Sequence, residues 1–283
     1  MKITKAEKVT FIALGGVIVA LLVLSSFFDL SLSLAVYKPS SFFGLFFDVF
    51  GQAPCYLMLP LSFSFIFAFC YKKQKTLYKV GLVLSVIASI IVWFIIIKMY
   101  FGSSLELWLE MLISLPLNAL LFAFISFSEQ TKIKLVKFAF FAIIVIALSI
   151  LINQGLKFLW GRYRFRDLYR ADTLNNFTPW WKINGINGNK SFPSGHVTAA
   201  TTMFSLLYLL KLFNVKKISK VLLAVGLGIY VVCVAYSRIV IGAHYLSDVT
   251  MGFAVTFVIY TLLYNLYSKY EEKVFSRLIN EEE

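Results

Sequence analysis

The chain is written as long apolar runs separated by short polar clusters. Eight runs can be laid out, at about Val9–Phe28, Pro54–Tyr71, Val80–Ile97, Met111–Phe127, Leu135–Leu156, Ser194–Lys211, Val221–Tyr236 and Ser247–Tyr267. A helix rises about 1.5 Å per residue, so roughly 20 apolar residues cross about 30 Å of hydrocarbon. The third run is rich in β-branched residues but is too long for an ordinary strand. Residues 29–51 are mixed, with Pro39, Gly44 and paired phenylalanines, and suit an amphipathic helix lying at an interface. In the fourth run, Pro116 and Asn118 read as a packing kink and an interhelical hydrogen bond. The pattern predicts an all-α polytopic membrane helix bundle of about eight transmembrane helices. The tail from residue 268 reads as a short charged helix in the cytoplasm.

Composition agrees with that pattern. Hydrophobic residues make up 60% of the 283, with 29 Phe and a mean hydropathy of +0.82, and only 14% are charged. Soluble domains carry about 25% charged residues, so the soluble class is excluded. The three cysteines, Cys55, Cys70 and Cys233, are odd in number and have no paired spacing, which argues against a disulfide framework or a zinc site. The basic start and the long apolar run before Asp29 have no small-x-small cleavage site, so the run reads as a retained first helix.

A net charge of +13 invites a nucleic-acid reading, but the positions of the charges decide against it. Seventeen of the 27 Lys and Arg fall in alternate connections, among them Lys72-Lys73, Lys132 to Lys137, and Lys216-Lys217. That is the cytoplasmic bias of a multi-pass protein, and it places both termini inside. Seven of the remaining ten lie between Lys157 and Lys190, on the side that should be poor in cations. Such an excess points to an anionic ligand, or to anionic headgroups.

The chemistry gathers in that half of the chain. Lys157 and Arg164 stand seven positions apart where the fifth run ends, and each alone reads as a snorkelling cation. Arg162, Arg166 and Arg170 belong to that same category, or to headgroup contacts. Pro193-Ser194-Gly195-His196 opens the sixth run, with serine as a favoured N-cap and free N–H groups facing an anion. Ser237-Arg238 closes the seventh, and His244 and Asp248 follow at i and i+4 on one helix face. Asp248 can hold one ring nitrogen of His244 and leave the other free to attack. His196 and His244 are the only histidines. Three cations suit a phosphoryl group, and an imidazole with an ordinary pKa of about 6.5 can attack or protonate near neutral pH. Nothing supplies the carboxylate cluster that Mg²⁺ wants, although two histidines and Asp248 could hold a transition metal.

These clusters resemble the three motifs of the type 2 phosphatidic acid phosphatase superfamily, shared with vanadium haloperoxidases. The pattern is Lys, six residues, Arg-Pro; then Pro-Ser-Gly-His; then Ser-Arg, five residues, His, three residues, Asp. All spacings agree over residues 157–248. The resemblance implies a metal-independent, cofactor-free phosphatase core of the acid phosphatase/vanadium haloperoxidase type. His244 would be the nucleophile, Asp248 its support and His196 the general acid, with Lys157, Arg164, Ser194, Gly195 and Arg238 holding phosphate. Phe165 stands where the family has proline, and five spans precede the first motif where about three are usual.

The expected division is residues 1–130 as N-terminal helices with an extra pair, 131–267 as the phosphatase core and 268–283 as the tail. The expected activity is hydrolysis of a lipid phosphate or pyrophosphate at the outer face of the plasma membrane. Undecaprenyl pyrophosphate, phosphatidylglycerophosphate, phosphatidic acid and lipid A phosphates are all candidates. No nucleic acid or obligate protein partner is implied. A lipid phosphotransferase would use the same residues, and a transporter or lipid-binding protein could keep them for binding. Phe177, Trp180 and Trp181 read as interfacial residues that help admit lipid.

Overall fold

The computed structural model describes residues 4–102 and 106–280. It is 79% helical, with no strand among the described residues. The helices are α1 (Lys5–Val36), α2 (Phe42–Phe50), α3 (Ala53–Cys70), α4 (Thr76–Phe101), α5 (Leu107–Leu117), α6 (Glu129–Trp160), α7 (Phe165–Arg170), α8 (Gly195–Thr202), α9 (Ser205–Leu212), α10 (Lys217–Val240) and α11 (Leu246–Asn280). The chain is an all-α, multi-pass membrane protein.

Among the described residues six helical segments, rather than eight, are long and apolar enough to cross a membrane. The fourth expected span is the eleven-residue α5, which carries Pro116 in its last turn and gives way to a 3₁₀ turn at Asn118–Phe122. Proline lacks the N–H that would continue the ladder. The sixth expected span is two helices, α8 and α9, parted at Met203 and Phe204. There the backbone tightens to i−3 bonds, Met203 N–H to Ala200 O at 3.2 Å and Phe204 N–H to Thr201 O at 3.1 Å. Thr198, Thr201 and Thr202 all turn their hydroxyls back onto carbonyls of their own helix, a habit that bends it.

The segment 29–51 also differs from expectation. Helix α1 starts in a reciprocal cap between Thr4 and Glu7 and runs past Phe28 to Val36, taking Asp29 inside it. Tyr37 is extended, and Pro39 follows shortly after. In place of one helix over 29–51 there is the shorter α2, begun by the Ser41 hydroxyl accepting from Gly44 N–H at 3.2 Å. The charged tail, as far as residue 280, continues α11 without a break.

The described residues divide into two compact units. One comprises Met1–Gln52, Val145–Phe204 and Val221–Glu283; the other comprises Ala53–Ile144 and Ser205–Lys220. In the second unit α3 packs on α4, and Asn118 accepts from the Ser89 hydroxyl at 2.7 Å, the interhelical bond expected of it. In the first, α11 packs on α1 and α8, with Phe11 against Phe257, Tyr260 and Tyr264. Helix α1 faces the protein with Ser25, Asp29 and Ser33, every fourth residue, and turns Val19, Val23 and Phe27 outward. An ionisable group at such a depth must face inward and be paired, and Asp29 is.

Candidate active site

Two glycines set the backbone of the site. Helix α6 stops at Trp160 because Gly161 turns left-handed, at φ +51°, as helix ends favour. A Cβ on Gly161 would sit 2.0 Å from the Gly185 carbonyl oxygen, so the residue also admits the loop that closes over it. Asn184 N–H and the Asn187 side chain then bond to the carbonyls of Trp160 and Gly161, at 3.0 and 2.7 Å. Helix α10 ends in a turn through Gly242, at φ +67°, where a Cβ would meet the Tyr37 ring at 2.7 Å. The Gly242 carbonyl accepts from Arg166 N–H at 2.9 Å, which ties the third cluster to the first.

The second cluster lies directly on the third. Ser194 N–H donates to the Asp248 carbonyl at 2.8 Å, and Gly252 allows this approach, since a Cβ there would stand 2.5 Å from the Ser194 carbonyl oxygen. The Thr198 hydroxyl bridges to Gly252 O at 3.2 Å and accepts from Asn153 Nδ2 at 2.8 Å. Asn153 is one turn before Lys157, whose Nζ donates to Lys190 O at 2.9 Å and lies within 4.0 Å of a Cβ built on Gly195. Lys157, Ser194, Gly195, His196, Arg238, His244 and Asp248 therefore share one region. Arg164, half-buried as the N-cap of α7, is near enough for its charge to act on Lys157 and Arg238.

His244 Nδ1 faces Asp248 Oδ2 across 3.5 Å, at the long limit of a hydrogen bond. Asp248 is held by other groups. Arg162 Nη1 donates to its Oδ1 at 2.6 Å, and Ser191 Oγ and Tyr245 N–H donate to its Oδ2 at 2.6 and 2.9 Å. Five buried atoms in this region have no hydrogen-bond partner among the described residues: Asn153 Oδ1, Ser194 Oγ, Arg238 Nε, His244 Nδ1 and Tyr245 OH. Ser194 thus occupies the N-cap position of α8 without capping it. Buried polar atoms are normally paired, and of these Ser194 Oγ and Arg238 Nε are donors that a ligand's oxygens would satisfy, whereas His244 Nδ1 is turned to Asp248.

Arg162 is not the headgroup contact that its sequence position suggested. It is 1% exposed and donates to Asp248, to Ser247 Oγ at 2.7 Å, to Thr178 O at 2.9 Å and to Asp29 Oδ2 at 2.9 Å. Its guanidinium lies over the Tyr245 ring at 4.2 Å. Asp29 in turn accepts from Ser247 N–H at 2.9 Å and from the Ser247 hydroxyl. A signal for Asp29 was present: Ser25, Asp29 and Ser33 form a polar stripe at helical spacing in an otherwise apolar run. Nothing in the spacing of Arg162 distinguished it from Arg166.

His196 has a different setting. Its Nδ1 lies 2.7 Å from Gln52 Nε2, and its Nε2 lies 3.0 Å from the Asp48 carbonyl oxygen and 3.7 Å from Asp48 Oδ1. Asp48 also accepts from Arg238 Nη1. Burial lowers the His244 imidazole to about 3, with Lys157 and Arg238 adding to the effect and Asp248 opposing it. Burial and then Arg238 lower His196 to about 4, against the pull of Asp48. Both rings are therefore neutral at pH 7 while no anion is bound.

Phe165 fills the position of the family's proline. It is the first residue of α7, where proline's fixed φ is favoured, and here a buried ring packs on Tyr37 at 5.1 Å and Tyr169 at 5.6 Å instead. Of the aromatic loop, Phe177 packs against Tyr245, and Trp180 donates to Ser26 Oγ at 3.1 Å, so both serve the fold; Trp181 is exposed. Among the described residues no group of three His, Cys, Asp or Glu gathers as a metal site would require.

Neither the curated proteins nor the solved structures give a match to the chain. The family model of the PAP2 superfamily does match, over residues 138–272, a stretch that contains all three clusters.

Proposed function

We propose that the protein hydrolyses a lipid phosphate or pyrophosphate at the outer face of the plasma membrane, through a phosphohistidine on His244. Members of the superfamily are generally phosphatases, and the chain is a membrane protein of that kind. The observation that carries the reading is the convergence of both histidines and three cations around two unpartnered buried donors, Ser194 Oγ and Arg238 Nε. His244 Nε2 attacks phosphorus while Nδ1 remains toward Asp248. The bond from phosphorus to the lipid oxygen breaks, and His196 gives that oxygen its proton. Water then attacks the phosphohistidine, His196 takes the proton back, and the N–P bond breaks to free phosphate. Lys157, Arg164, Arg238, Ser194 Oγ and the backbone at Gly195 hold the equatorial oxygens.

The protonation states fit these steps. A neutral His244 has the lone pair that attack requires, and it is lost only as the pH falls toward about 3. His196 must be protonated to act as the acid. Its own surroundings keep it neutral at pH 7, so an arriving dianion supplies the charge that raises its pKa. The test is a panel of lipid phosphates and pyrophosphates in liposomes, assayed for phosphate release by the wild type and by His244→Ala. Release from at least one lipid, lost by about 10³-fold or more in the variant, is expected. A variant that hydrolysed normally would remove His244 from its role. A phosphorylated acceptor in place of free phosphate would make the protein a transferase.

A further inference from the structure

We propose that Asp48, reaching in from helix α2, is a positioning residue that holds Arg238 and His196 in register so that His196 can carry the leaving group's proton. The inference rests on the reading of His196 as the general acid. Helix α2 brings five phenylalanines within nine residues, and Phe42, Phe46 and Phe50 are exposed while Gly44 sits against Ile241. A carboxylate on such a helix would be expected to turn to solvent. Asp48 turns instead to the two groups that the phosphate needs, and the pairing has a direction. It takes Nη1 of Arg238 and leaves Nε of the same guanidinium unpartnered and buried. The fork is thereby aimed, with its free edge available to a ligand.

The same helix end frames His196 on both ring nitrogens. Nε2 meets the Asp48 carbonyl oxygen and Nδ1 meets the Gln52 amide. Gln52 presents its NH₂ to the neutral ring, and to deliver a proton Nδ1 must turn from Gln52 to the leaving oxygen while Nε2–H stays on the Asp48 carbonyl. Two cations oppose a charge on the ring, Arg238 from α10 and Lys157 from α6, while Arg164 and Arg166 at the start of α7 act on Arg238. Asp48 opposes that field at His196. Without it, Arg238 and Lys157 would work unopposed against a protonated imidazole.

Because the chain has two histidines, their rings can be followed separately in the full-length protein. The experiment is an NMR titration of histidine-labelled protein in micelles, saturated with inorganic phosphate, with His244→Ala used for assignment. Asp48→Asn should move the His196 titration down by about one pH unit, tenfold in proton affinity, and leave His244 nearly in place. Asp48→Glu should restore it. In turnover, the alkaline limb of the kcat profile should shift down by the same unit, since fewer molecules then hold the acid's proton at a given pH.

An unmoved His196 in a folded Asp48→Asn protein would overturn the proposal, as would a fall in kcat with no change of pH profile. Tighter phosphate binding by that variant with His196 unchanged would make Asp48 an occluding group instead, and would equally overturn it. Should Asp48→Asn fail to fold, Gln52→Met replaces it, and a His196 titration unchanged by that variant would count against the frame. If no lipid is hydrolysed but the titration shifts as expected, the function above fails and the pairing of Asp48 with His196 stands.

Discussion

The two histidines stand in one site and are supported in opposite ways. Behind His244 is a closed lattice: Asp248, Arg162, Asp29, Ser247 and Ser191, all buried and linked by hydrogen bonds from four stretches of chain. Behind His196 there is only the end of α2, and the Asp48 side chain is 37% exposed. The nucleophile half is braced; the acid half is lightly held. The difference suits the two tasks, because an attacking nitrogen must be aimed once, whereas an acid must gain and lose a proton within each turnover.

The sharpest way to break this comparison is to remove the brace. Arg162→Leu leaves Asp29 and Asp248 buried, close and without a counter-charge, and breaking such a pair costs about 3–5 kcal/mol. A large drop in melting temperature is expected, together with loss of turnover in whatever protein still folds. Normal stability would mean that the lattice behind His244 is no more a brace than α2 is. Asp29→Asn is the milder cut. The amide can still accept from Ser247 N–H, but it presents one fewer charge to Arg162, so about 1–3 kcal/mol is expected, with a smaller loss of activity. Combining Asp29→Asn with Arg162→Leu should cost less than the two single losses summed, because the paired groups interact directly.

The sequence made the reactive groups legible and left their supports hidden, for a physical reason. Lys157, Ser194, His196, Arg238, His244 and Asp248 announce themselves because polar residues in apolar runs are rare, and their spacings are local. Arg162 lies among Arg164, Arg166 and Arg170, and only the tertiary fold decides which of these is buried. Asp29 and Asp48 lie more than 100 residues from the groups they hold, so no local spacing links them. The helical boundaries failed where hydropathy alone was followed. Pro116 and the threonines of α8 break two runs whose apolar content is sufficient for a span.

The smallest expected effect is the most selective, and it concerns the atom between the two halves. Ser194 Oγ is fully buried, caps nothing and has no hydrogen-bond partner among the described residues. Its own backbone N–H is already committed to the third cluster through Asp248 O. For an ordinary buried serine, alanine removes a hydrogen bond and lowers stability. Here it removes a hydroxyl whose desolvation is not compensated, so the melting temperature of Ser194→Ala should hold or rise slightly. With phosphate bound, the same hydroxyl donates to a charged oxygen, a contact of about 1.5 kcal/mol, so phosphate affinity should fall roughly tenfold. Stability and binding then move in opposite directions at a single atom. A variant that lost both together would show that Ser194 supports the braced half of the site and holds no part of the ligand.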